Sequence, residues 1–203
     1  MKHHKTLRRG ISVLLTLVMC LSLVPITALA EEGTETGVEI NPTNFPDYVF
    51  REYVKNKIDT DGNGTLSAEE IAAVKKIEFI NDAGKYLYTL SGIEPFTNLN
   101  TLWCINSKMS KLDVSKNTAL KSLRCESNQL TTLDVSKNTA LESLCCYDNN
   151  LTTLNLGENT VLKTLWCYDN QLTKLDVSKN TTLETLWCYD NDLTTLDVSE
   201  NTV

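Results

Sequence analysis

From Leu99 onwards the apolar positions of the chain recur with a period of 21 residues. The blocks LNTLWCINSKMSKLDVSKNTA, LKSLRCESNQLTTLDVSKNTA, LESLCCYDNNLTTLNLGENTV, LKTLWCYDNQLTKLDVSKNTT and LETLWCYDNDLTTLDVSENTV share the form LxxLxCxxNxLTxLDVSxNTx. In LxxLxC, Leu165 and Cys167 alternate with Trp166, the period-two signature of a strand with one buried face. The LTxLDVS half carries a second short alternation, such as Leu175 and Val177. Each repeat is therefore expected to form one coil with a short strand on each side. Coils stack at roughly 4.8 Å. No coil can bury its leucines alone, so its neighbours must supply the core.

Two asparagine columns fit the same coil. Asn128, Asn149, Asn170 and Asn191 recur where the chain leaves the first strand, and Ser107 stands there in the first repeat. Asn117, Asn138, Asn159, Asn180 and Asn201 recur at the other turn. Both are expected to bond turn backbone rather than to do chemistry. Residues 84–98, GKYLYTLSGIEPFTN, read as a degenerate half-repeat that starts the stack.

The LxxLxCxxNxL segments from Leu99 to Leu193 resemble the bacterial leucine-rich repeats of the 21-residue class related to the internalins. The resemblance implies a curved solenoid, presentation outside the cell and ligand binding on the concave face. The expected fold is an α/β repeat. It is a leucine-rich-repeat solenoid, mostly short parallel strands on both sides of the coil, with a small helical N-terminal cap.

The rest of the chain divides into zones. Lys2, Lys5, Arg8 and Arg9 precede an apolar run from Ile11 to Val24, and Ala28-Leu29-Ala30 follows. This is the layout of a secretory signal peptide cleaved after Ala30, giving a secreted or cell-surface protein with no membrane span in the mature chain. Residues 31–43 read as a flexible lead-in, 44–78 as a helix-loop-helix cap and 79–203 as the solenoid. The sequence stops at Val203 at the close of a repeat without a polar cap. That reads as a truncation, with more repeats, a wall anchor or a catalytic domain to follow.

Asp59 to Glu70, DTDGNGTLSAEE, has the spacing of a twelve-residue EF-hand calcium loop. Asp59, Asp61 and Asn63 take positions 1, 3 and 5, and Gly64 makes the sharp turn. Thr65 offers its carbonyl, Ser67 acts directly or through water, and Glu70 closes the site. Phe45, Val49, Phe50, Tyr53 and Val54 have helical spacing before the loop, with Pro46 expected in the first turn. Ile71, Val74 and Ile77 form an apolar stripe after it, and Ser67 with Glu70 fits a capping box. The expected cofactor is Ca²⁺, setting the cap at the millimolar-range affinities (about 10⁻⁴–10⁻³ M) of extracellular sites.

Charge and residue types narrow the function. Without the signal the chain keeps 15 basic against 26 acidic side chains, a net charge of −11, which repels nucleic acid. Both histidines, His3 and His4, leave with the signal, and with them the commonest general base and metal ligand. The chain is read as a non-enzyme. Cys104, Cys125, Cys146, Cys167 and Cys188 form one inward column, expected as reduced, apolar core thiols. Cys145 takes an outward position and is expected to be an exposed thiol.

The remaining outward positions carry the binding reading. Trp103, Trp166 and Trp187 share one column, and Tyr147, Tyr168 and Tyr189 the next. Asp148, Asp169 and Asp190 lie beside them. Grouped aromatics mark interaction surfaces, although cross-strand stacking alone also favours them. The expected partner is an extracellular protein held on this face by Trp103, Tyr147, Trp166, Tyr168, Asp169, Trp187, Tyr189 and Asp190. The alternatives are a glycan stacked on the tryptophans, or a role as the non-catalytic part of a larger secreted enzyme.

Overall fold

A computed structural model describes residues 37–81 and 84–202. The expected signal segment and Val203 lie outside them, and no helix of the described residues is long and apolar enough to cross a membrane. The repeats form a parallel stack. Strands β3 (Lys76–Ile80), β4 (Thr101–Ile105), β5 (Ser122–Arg124), β7 (Ser143–Cys145), β9 (Thr164–Trp166) and β10 (Thr185–Trp187) make one six-stranded sheet in the order of the chain. Its register is that of the repeat, with Leu144 beside Leu165 and Cys145 beside Trp166.

On the opposite side, among the described residues, β6 (Thr132–Asp134) and β8 (Thr153–Asn155) alone pair as strands. The expectation of a strand on both sides of every coil is met in that pair, while the other LDVS passages run as turns. Asp113, Asp134, Asp176 and Asp197 each accept the amide of the serine two residues on, at 2.8–3.0 Å, so the same side-chain turn closes the passage in paired and unpaired coils alike.

The interior is one continuous core. Leu99, Leu102, Cys104, Leu120, Leu123, Cys125, Leu141, Leu144, Cys146, Leu162, Leu165 and Cys167 have no exposed surface. The first asparagine column does what its spacing implies. Asn149 Nδ2 donates to the carbonyls of Cys125, Cys146 and Tyr147 at 3.0–3.2 Å, and its Oδ1 accepts Leu130 N–H at 3.0 Å. The second column reaches back one coil. Asn138 Nδ2 donates to Val114 and Asn117 carbonyls, both at 2.9 Å.

A helix-loop-helix unit precedes the stack. Asp47 caps α1 (Tyr48–Lys57), so Pro46 stands ahead of the helix rather than in its first turn. Phe50 and Val54 face inward, and α2 (Ala68–Ala73) follows the loop. Ile77 does not continue the second helix. It sits in β3, where Ile77 and the half-buried Phe79 alternate on the core side, so the sheet begins at Lys76. Three apolar residues spaced by three suit a helix, yet KIEFI also has strand alternation, and pairing with β4 decides it. Phe79 packs edge-on against Phe50 and against Tyr53, at ring centroid distances of 6.0 and 4.7 Å.

The lead-in is structured from Val38. β1 (Val38–Glu39) pairs antiparallel with β2 (Thr65–Leu66) in the acidic loop, and Ile40 N–H donates to Gly64 carbonyl at 2.9 Å. A lone loop thereby acquires the strand partner that a second loop of its kind would otherwise supply.

Candidate functional site

Two arrangements carry functional groups. The first is the acidic loop. Gly62 and Gly64 take φ of 72° and 83°, the left-handed turn that lets the loop fold back on itself. One carboxylate oxygen each from Asp59, Asp61 and Glu70 lies within 4.8 Å of the others. Asp59 Oδ2 accepts Gly64 N–H at 3.0 Å, while its Oδ1 is buried without a partner. Asn63 Oδ1 accepts Thr65 N–H at 2.7 Å, and Asn63 Nδ2 donates to Asp61 Oδ2 at 2.7 Å.

Glu70 closes the loop. Its Oε1 accepts from Thr60 N–H and hydroxyl at 2.6 and 2.8 Å, and its Oε2 from Ser67 N–H at 3.0 Å. The capping box with Ser67 is formed on both sides. These donors, the Ser67 amide foremost, hold its carboxyl down to about 2. Three carboxylates brought within 4.8 Å, one of them with a buried oxygen that has no donor, are a donor set suited to a hard cation.

The second arrangement is the outer face of the six-stranded sheet. Trp166 and Trp187 stack at 4.7 Å and 9°. Tyr168 stacks on Tyr147 at 4.4 Å and on Tyr189 at 4.6 Å. In-register rungs impose this geometry, so cross-strand stabilisation and clustering are one arrangement. The rings occupy each other's faces and turn their edges outward. Trp187 and Tyr189 in the last described coil are 45% and 55% exposed, as are its core-type residues Leu196 and Val198 at 41% and 47%, because no further described coil covers them. Partial desolvation, then the flanking tyrosines, push the Tyr168 phenol up to about 12 and keep it protonated.

Trp103 stands apart from this pair. It lies between Lys76 and Arg124, whose charges sit 5.1 and 5.2 Å from its ring, and its Nε1 donates to Ser122 Oγ at 3.3 Å. Trp166 Nε1 is buried with no acceptor. Asp169 and Asp190 are exposed, but their column has a backbone role that the spacing alone did not reveal. Asn106, Ser127, Asp148, Asp169 and Asp190 all have φ between 50° and 55°. Asn and Asp tolerate this left-handed conformation best, which selects them there.

Cys145 is not the exposed thiol expected of its outward position. It is 4% exposed, because the long Arg124 and Trp166 side chains on the adjacent rungs close over a small residue between them. Burial pushes its thiol up to about 11. Glu126, also outward in sequence, is fully buried and paired with Arg124, with its Oε2 unpartnered. Sequence spacing gave no sign of this buried ion pair between Arg124, which ends β5, and Glu126 two residues beyond it.

A solenoid of about five parallel coils behind a short helix-loop-helix unit defines the class: a leucine-rich-repeat protein. It is related in structure to the internalins. The functional domain of InlJ from Listeria monocytogenes, whose description includes a cysteine ladder, is 35% identical over 81% of this chain, with a TM-score of 0.71. An internalin, InlF, from the same organism aligns over 79% at 19% identity and a TM-score of 0.53, a likeness of fold. The chain spans 36% of the length of the first and 61% of the second. No protein-family model matches the sequence, and no curated protein matches it.

Proposed function

We propose that this chain is an extracellular or cell-surface recognition module that binds a protein ligand on the outer face of its six-stranded sheet. One observation carries the reading: Trp166 with Trp187, and Tyr147 with Tyr168 and Tyr189, stack in two adjacent columns on one face of the sheet. Such rings supply large contact area at little entropic cost. Similarity to a functional domain of internalin type supports a binding role. A glycan fits less well, because sugar rings stack on aromatic faces, and here neighbouring rings cover those faces.

The acidic loop sets the scaffold in this reading. Asp59, Asp61, Asn63, the Thr65 carbonyl, Ser67 and Glu70 would hold Ca²⁺, which supplies charge neutralisation for three converging carboxylates. The loop then fixes β1 and the two helices against the first coil. Residues 1–30 act as the cleaved export signal.

The test uses the three tryptophans, the only ones in the chain. Calcium-loaded protein is titrated with candidate host proteins and soluble glycans while tryptophan emission is recorded. A saturable shift with a protein, lost in Trp187→Ala, supports the reading. Binding that leaves the emission and Trp187→Ala unaffected would move the interface off this face.

A further inference from the structure

Asn63 is the one asparagine of the chain that is followed by glycine. The pair, Asn63–Gly64, sits in the middle of the acidic loop and carries latent chemistry. The Gly64 nitrogen can attack Asn63 Cγ, because glycine has no Cβ to hinder the approach. The space at Gly64 is open: a Cβ placed there would meet nothing beyond its chain neighbours within 4 Å. Both residues are exposed, so water reaches them.

The closed loop holds this reaction off. Gly64 N–H donates to Asp59 Oδ2 at 3.0 Å, which ties down the nucleophile. Asn63 Nδ2 donates to Asp61 Oδ2 and Asn63 Oδ1 accepts Thr65 N–H, both at 2.7 Å, which fixes the carboxamide. Two of these three bonds end on converging carboxylates, Asp59 and Asp61. Without a cation those two and Glu70 repel one another, and local opening of the loop releases both reacting groups.

We propose that Asn63–Gly64 is a self-modification site, held closed by calcium and opened by its loss. The Gly64 nitrogen bonds to Asn63 Cγ and the Cγ–Nδ2 bond breaks. Nδ2 leaves as ammonia, taking the proton that the Gly64 amide gives up, and a cyclic imide remains. Water then opens the ring. Attack at Cγ leaves an aspartate at position 63. Attack at the main-chain carbonyl leaves an isoaspartate, whose chain runs through Cβ and Cγ.

The two products act on the site in opposite ways. Aspartate keeps an oxygen at loop position 5 and adds a fourth carboxylate, so it strengthens cation binding. Isoaspartate lengthens the main chain by one carbon inside the loop, which breaks the ligand spacing and ends binding. Time spent without calcium is thereby written covalently into the cap. This rests on the reading of the loop as a calcium site and adds its regulation.

The experiment first measures calcium binding to the full chain by calorimetry. The chain is then incubated at mildly alkaline pH with EGTA, with Ca²⁺ at about ten times its dissociation constant, and with Ca²⁺ in urea, and its peptides are mapped by mass spectrometry. In EGTA, Asn63 is expected to convert before any other asparagine and to give two isomeric products. Calcium is expected to slow this about tenfold, because only the cation-free loop reacts. Urea should remove the protection. Asn63 left intact in EGTA but converted in urea would overturn the modification site. Conversion equally fast or faster with calcium, when calorimetry shows binding, would overturn the gating while the calcium site stands. Absence of calorimetric binding would instead sink the calcium site and the gating with it, and conversion in EGTA would still decide the modification.

Discussion

Asp47 Oδ2 accepts the backbone N–H of Tyr88 at 2.8 Å, across 41 residues of chain. Its other oxygen caps α1 by accepting Val49 and Phe50 N–H at 2.8 and 3.0 Å. One buried carboxylate thus starts the first helix and ties it to the half-coil that opens the stack. Asn98 adds a second tie, donating from Nδ2 to the Ala72 carbonyl at 3.1 Å.

Asp47→Ala removes the cap and strands the Tyr88 amide together. A lost N-cap costs about 1 kcal/mol, and the part-buried Tyr88 amide left without its acceptor about 1 kcal/mol more. The variant is expected to unfold about 2 kcal/mol more easily in urea. Asp47→Asn, which keeps one acceptor oxygen, should fall between the two. An unchanged midpoint in the alanine variant would show that the tie to Tyr88 carries no stability.

Calcium is expected to stabilise the fold by mass action. At ten times its dissociation constant, a ligand bound only by the folded state adds about 1.4 kcal/mol. For a chain of this size that raises the melting temperature by roughly 3–6 °C. Asp59→Ala with Glu70→Ala should abolish the rise and leave the protein at its calcium-free value or below. A melting temperature that still climbs with calcium in the double variant would remove the cation from this loop.

The asparagine columns predict a graded effect along the stack. Asn149→Ala leaves the Leu130 amide without its acceptor and takes one donor each from the Cys125, Cys146 and Tyr147 carbonyls, which keep Asn128 Nδ2, Asn170 Nδ2 and the Ser127 amide. A loss of about 1–3 kcal/mol is expected, set mainly by the stranded amide. Asn191 makes the same bonds to Cys167, Cys188 and Tyr189 in the last coil, where its surroundings are partly open. Asn191→Ala should therefore cost less. Chemical denaturation of both variants separates a column acting through burial from one acting through the bonds alone.

Most of this architecture was legible because each core demand is written five times. A single Leu-x-x-Leu is ambiguous, but five in register leave only a stack. The misreadings fall where one residue depends on its neighbours across strands. Cys145 looks outward by alternation, yet Arg124 and Trp166 decide its exposure. Val38–Glu39 is too short to show a strand pattern, and only the open edge at Thr65–Leu66 makes it one. The Asp148–Asp190 column was read as ligand chemistry alone. Asn106 and Ser127 in the same column were the available sign that the turn itself selects those residue types. Gly157, where the other repeats place serine, takes φ of 54°, a conformation the sequence reading did not anticipate.

The cysteine column gives the fold a pH limit. Burial, above all else, pushes the Cys125 and Cys146 thiols well above their ordinary value near 9, and Cys167 up to about 12. A raised folded value means that the folded state holds the proton more tightly than the unfolded chain. The contribution is complete below about pH 9, where both states are protonated. Above it the unfolded chain ionises first, so stability falls as pH rises towards the folded values, by up to about 1.4 kcal/mol per pH unit for each such thiol. Urea midpoints measured under reducing conditions should hold steady to about pH 8.5 and then drop steeply. Alkylation with iodoacetamide should follow the same logic. Cys188, half-open in the last coil, reacts first, while Cys125 and Cys146 wait for unfolding. Labelling of Cys146 at native rates below pH 9 would mean that the coils open individually and that the column is not one shared interior.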